Sequence, residues 1–225
     1  MAKKSRTPQP PRRVQAPKQR KTETVKGPNR LLIGGLAGAA IVVAGAIVLA
    51  VVVLRGDGTD ATLRAAGCTI EKQPAMAASH VEQLEEGFEY NTTPPSSGPH
   101  YPIPAIWDVY TEPVEQFRLV HNLEHGAMVV QYGRDVTEAT VAEIVEWYRD
   151  DPNGIIVAPL PSLGDQIALA AWTSPDVSPG QEPAPGQGVL AECPGFDPET
   201  FDAFKDEYAF RGPERFPRER LLPGT

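Results

Sequence analysis

The feature that most limits how this chain can fold is Leu31–Leu54, twenty-four residues without a charged or strongly polar side chain. As a helix rising 1.5 Å per residue it would be about 36 Å long, enough to cross a hydrocarbon core of roughly 30 Å with some tilt. A cleaved signal peptide has a shorter apolar core near the N-terminus, followed by a small-residue cleavage site. Here thirty residues precede the run, and Arg55-Gly56-Asp57-Gly58 follows it. The pattern predicts a signal anchor. Residues 1–30 hold ten of the 21 Lys/Arg against one acid, Glu23, while the rest of the chain carries the other 28 of the 29 Asp/Glu. The basic bias predicts a cytoplasmic N-terminus, one pass through the plasma membrane and an acidic extracytoplasmic domain. The tail is rich in proline, lysine and glutamine and lacks the apolar content to fold. It gives no reason to expect nucleic-acid binding. Gly34 and Gly38 form a small-xxx-small pair, a candidate dimerisation face.

Beyond the span the expected organisation is a linker at 55–66, one folded domain at 67–216 and a tail at 217–225. Cys68 and Cys193 are the only cysteines and lie near the two ends of that domain. In an oxidising compartment such a pair predicts a disulfide rather than a redox centre, since there is no Cys-x-x-Cys. Phe117–Val120 and Ala127–Tyr132 are apolar enough to be strands on either side of His121–Gly126. Asp135-Val136-Thr137-Glu138 has capping-box spacing, and Val141, Ile144, Val145 and Tyr148 share a helical face that should end before Pro152-Asn153-Gly154. Ile155–Ala158 and Gln166–Trp172 read as a pair of buried strands, and Ser174–Gly188 as an exposed loop. Asp197-Pro198-Glu199 opens a second helix whose inner stripe is Phe201, Phe204 and Tyr208. The expected fold class is α+β: an N-terminal transmembrane helix, then a small domain with a mostly antiparallel sheet and two packed helices.

All four histidines, His80, His100, His121 and His125, fall within residues 80–125. His121 and His125 stand at i and i+4, on one side of either a helix or a strand. Before His100 runs Asn91-Thr92-Thr93-Pro94-Pro95-Ser96-Ser97-Gly98-Pro99, which cannot be helix or central strand and predicts a stiff polar loop. Imidazole suits zinc, copper, nickel or iron, and outside the cytoplasm copper or zinc is the expected occupant of converging histidines. Glu124 could ligate, orient an imidazole, or take a proton from bound water. His121–His125 also spells H-x-x-E-H, the inverted zincin pattern, but that motif needs a long helix and Gly126 followed by an apolar run argues for a strand. The competing account is that the histidines hydrogen-bond one another, the proline loop and Glu124, and simply hold a turn.

Tyr90–His100 together with Val120-His121-Asn122-Leu123-Glu124-His125-Gly126 resembles the DUF 3105 family, a domain of unknown function found in small bacterial proteins with one N-terminal membrane span. His80-Val81 and Gly212-Pro213-Glu214 fit the same pattern, and the resemblance covers most of residues 67–216. It implies that His80, His100, His121, Glu124 and His125 belong to one functional or structural centre. It implies no reaction. Three readings follow. The first is a membrane-anchored extracytoplasmic domain binding copper or zinc through its histidines. The second is a cell-envelope interaction module in which the histidine motif is structural and an envelope protein is the partner. The third is a metal-dependent hydrolase with Glu124 as the catalytic base.

Overall fold

A computed structural model describes residues 58–176 and 186–225. Five strands form one sheet in the order β1-β5-β4-β2-β3: β1 (Thr69–Pro74), β2 (Met128–Tyr132), β3 (Ile155–Pro159), β4 (Ile167–Thr173) and β5 (Gln187–Cys193). All neighbours are antiparallel except β2 and β3, which run parallel with Met128 opposite Ile155. Four α-helices are described: α1 (residues 58–65), α2 (Gln116–Glu124), α3 (Glu138–Asp150) and α4 (Pro198–Tyr208).

Both faces of the sheet are covered over β2–β5, whereas the edge strand β1 is largely exposed. Met128, Val130, Ile155, Val157, Ile167 and Leu169 point to the layer that holds α3, α4 and Leu63 of α1. Their strand neighbours Val129, Ile156, Ala158, Ala168 and Ala170 point to the layer that holds α2. A strand buried on both sides has no reason to alternate polar with apolar, hence the unbroken apolar runs of β3 and β4. α3 carries the chain from β2 to the parallel β3, as a parallel pair requires. Thr137 caps α3 by accepting from the Thr140 amide at 3.1 Å, and Asp197 caps α4 by accepting from the Thr200 amide at 2.9 Å. The Cys68–Cys193 disulfide is formed across the β1–β5 pair, with Cα atoms 4.1 Å apart.

Several expectations are corrected. The fold has more than two helices. Phe117–Val120 is not a strand but part of α2, because Leu119, Val120 and Leu123 make a helical stripe that buries against the sheet. Residues 58–65, expected in a linker, form a helix with Leu63 fully buried. β3 and β4 do not pair with each other; β2 lies between them. The C-terminal segment, expected as a tail, packs on the domain through Leu221, whose carbonyl accepts from the Gly154 amide at 2.8 Å.

The membrane helix is corrected too: no helix among the described residues is long and apolar enough to cross a membrane. α3, with 13 residues, is only about 20 Å long at 1.5 Å per residue, short of a core of roughly 30 Å. Leu31–Leu54, with Gly34 and Gly38, lies outside the described residues, as does residues 177–185 of the expected loop. The expected single-pass topology, plasma-membrane location and envelope partner rest on that span, and no described helix supports them.

Candidate metal centre

Three segments converge at one end of α2. The first is the connection from β1 to α2, which carries His80 and His100. The Val81 amide donates to the His100 carbonyl and the His100 amide to the Ser79 carbonyl, each at 2.9 Å, so the two histidines sit side by side in a short parallel bridge. The polar loop that delivers His100 is buried, not solvated. Ser96 and Ser97 have no exposed surface, Thr92 Oγ1 accepts from the Ser96 amide at 3.0 Å, and Ser97 Oγ accepts from the Met76 amide at 3.1 Å. A buried polar loop is tolerable only when its donors and acceptors are paired in this way.

The second segment is α2, which contributes His121, Glu124 and, at its C-cap, His125. Asn122 locks the helix to the loop ahead of it, donating to the Ala105 carbonyl at 2.8 Å while its Oδ1 accepts from the Ala105 amide at 2.9 Å. The third segment is the strap after α4. The Phe210 amide donates to the Gly126 carbonyl at 2.7 Å and the Glu214 amide to the Glu124 carbonyl at 3.1 Å.

One ligand atom from each of His80, His100, His121 and Glu124 falls within 4.8 Å of the others. His100 Nε2 lies 3.0 Å and His80 Nε2 3.5 Å from Glu124 Oε2. A tetrahedral site with bonds of roughly 2.1 Å has ligand–ligand edges of about 3.4 Å, close to these two contacts with Glu124. His125 is not one of the four. It stands beside them, Nε2 3.1 Å from His121 Nε2, in a second set with Glu124 and Glu214. Glu214 is a residue that sequence reasoning did not nominate, although Gly212-Pro213-Glu214 marked the segment.

Hydrogen bonding assigns the tautomers. His100 Nδ1 is 2.8 Å from the Gly98 carbonyl and His121 Nδ1 is 2.7 Å from the Tyr101 carbonyl. A carbonyl only accepts, so both Nδ1 atoms carry a hydrogen, and each Nε2 is turned to a partner on α2 or its C-cap: Glu124 for His100 and His125 for His121. His100 Nε2 then faces a carboxylate oxygen at 3.0 Å, acceptor against acceptor. Such a pair is stable only with a proton or a cation between them. Backbone carbonyls holding Nδ1–H while Nε2 points inward is the usual outer support of a histidine metal ligand.

The charge states agree with this arrangement. Burial holds the His121 imidazole below its ordinary value, helped by His125 and His100 and opposed by the Tyr101 carbonyl. Burial likewise lowers His125, against the pull of Glu214 and Glu124. Burial pushes the Glu124 carboxyl up, but the His100 hydrogen bond and the surrounding imidazoles outweigh it, and the group ends below the ordinary glutamate value. The ionised carboxylate is the ligating form of Glu124, and the lowered values of His121 and His125 favour their ligating, unprotonated forms. The cluster has the composition and spacing to chelate a metal ion.

Comparison with curated proteins and with solved structures finds no match. Residues 80–219, which contain both histidine–glutamate sets and the strap, match the profile of a family described as protein of unknown function (DUF3105). That span is more than half of the chain, and this protein is a member of the DUF3105 family.

Proposed function

We propose that the domain is a structural module built around a metal: His80, His100, His121 and Glu124 hold one divalent ion that ties the β1–α2 connection to α2. The observation that carries this reading is the convergence of His100 and His80 Nε2 on one Glu124 oxygen, 3.0 and 3.5 Å away, with His121 in the same set of ligand atoms. Three imidazoles and a carboxylate suit zinc, with copper(II) the alternative occupant. Four protein ligands fill a tetrahedral shell, the pattern of a structural rather than a catalytic site. Glu124 is then a ligand and not a base. The H-x-x-E-H spelling has no peptidase meaning here, because α2 ends at Glu124 and His125 is already its C-cap.

The test uses His80, which is half-exposed and can be truncated without opening the core. The purified chain is expected to hold zinc or copper at neutral pH and to lose thermal stability with a chelator. Binding at a hundredfold excess over Kd stabilises the fold by about 2.7 kcal/mol. His80→Ala should lower metal content and shrink the chelator effect.

A second reading keeps the same architecture without an ion. His100 is fully buried and both its ring nitrogens are partnered, by the Gly98 carbonyl and by Glu124. On that reading a protonated His100 bridges loop and helix, and the melting temperature is the same with and without chelator.

A further inference from the structure

From the overlap of the two ligand sets we infer that the centre holds two metal ions, with Glu124 shared between them and the second ion bound by His125 and Glu214. This rests on the metal reading above and extends it. Glu124, His125 and Glu214 place one ligand atom each within 4.8 Å of the others, and Glu124 also belongs to the first set. A carboxylate has two oxygens and about four lone-pair directions, so it can serve both ions. His125 Nε2 and Glu214 Oε2 are 3.4 Å apart. That is long for a hydrogen bond and equal to the edge of a tetrahedral site with bonds of roughly 2.1 Å.

Glu214 is not there by the chance flexibility of a surface side chain. Its own amide is bonded to the Glu124 carbonyl at 3.1 Å, so the backbone of one ligand holds the backbone of the other. Gly212 makes that approach possible: a Cβ on it would come within 2.1 Å of the Glu124 carbonyl oxygen. The Phe216 ring packs on His125, centroids 4.3 Å apart. A surface carboxylate with no assignment needs none of these supports.

The two sites differ in kind. The first has three imidazoles and one carboxylate, and all but His80 are buried. The second has one imidazole and two carboxylates, a harder donor set that suits zinc, manganese(II) or iron(II). It has only three protein ligands, and the Glu214 side chain is 55% exposed, so water or an incoming oxygen donor can complete the shell. The second ion is therefore the exchangeable one.

The experiment loads the purified full-length chain with zinc, removes the excess and measures metal per chain by mass spectrometry. About two ions per chain are expected, falling to one in Glu214→Gln; the Glu214 carboxylate forms an ion pair only with His125 among the described residues. With manganese(II), the wild type should give an exchange-coupled spin-resonance spectrum and Glu214→Gln the spectrum of isolated ions. One ion in the wild type overturns the second site and leaves the first standing. Two ions in both proteins removes Glu214 from the ligand set and overturns the assignment. No metal in either overturns this inference together with the reading on which it rests.

Discussion

At the residue scale Glu124 is the hinge of the centre, because its carboxylate faces His100 and His80 while its carbonyl receives the strap. The charge states set a pH dependence whose sign can be worked out for the metal-free protein. His121 and His125 have folded values below the ordinary 6.5. The unfolded chain therefore binds more protons than the folded one once pH falls below about 6.5, and stability drops with acid there. Glu124 is depressed below its ordinary 4.5, so its contribution is complete above that pH and is lost as pH falls through the lower folded value. Both contributions point the same way. Melting temperature in chelator should hold steady from pH 8 to 7 and decline below 6.5, and His125→Asn should flatten the upper part of that decline. A melting temperature that rises on acidification would contradict the assigned charge states.

At the scale of elements, the strap is where packing and chemistry meet. Gly126 has φ +100°, a left-handed conformation that favours glycine, and a Cβ there would lie 2.9 Å from the Phe210 Cα. Gly212→Ala drives a methyl into the Glu124 carbonyl and the Gly126 amide, both rigid backbone. Overpacking of this kind costs about 1–3 kcal/mol. Denaturant unfolding of Gly212→Ala should show that loss, and the variant should also shed the second ion, since Glu214 moves with the strap. Unchanged stability would mean that the strap yields freely.

The same scale explains which elements can be read from the sequence. α3 and α4 carry their signals locally, a cap followed by an apolar stripe at helical spacing. α2 does not: the apolar pair Leu119-Val120 looks like strand, and only Leu123 one turn later reveals the helix. The placement of β2 between β3 and β4 is a non-local choice, forced by covering both faces of one sheet, and no window of sequence contains it. The four histidines were visible as a group because they are rare. How they divide into two sets was not, because that depends on the carbonyls of Gly98 and Tyr101 and on Glu214, drawn from a segment ninety residues beyond Glu124.

At the scale of the whole domain, one covalent tie and one polar contact hold the first described helix to the last. Cys68 and Cys193 extend the β1–β5 pairing by one position, and both are buried in the layer that holds α3 and α4. Just ahead of that bond, Asp60 on α1 accepts hydrogen bonds from the Tyr208 hydroxyl of α4 and, at 2.8 Å, from Lys72 Nζ of β1. Burial, then that bond to Asp60, push the Tyr208 hydroxyl far above its usual range. The disulfide spans a sequence separation of 125, and in the chain-entropy account closing a loop of that size in the unfolded chain is worth about 5 kcal/mol. A domain's total stability is only about 5–15 kcal/mol. Cys68→Ala/Cys193→Ala should therefore lose a large share of the unfolding free energy, most of it through the unfolded state. The centre lies in the opposite layer, on α2, so metal content of the still-folded fraction should be unchanged. Loss of metal in parallel with the disulfide, under conditions where circular dichroism shows the fold intact, would mean that the two layers are coupled through the sheet.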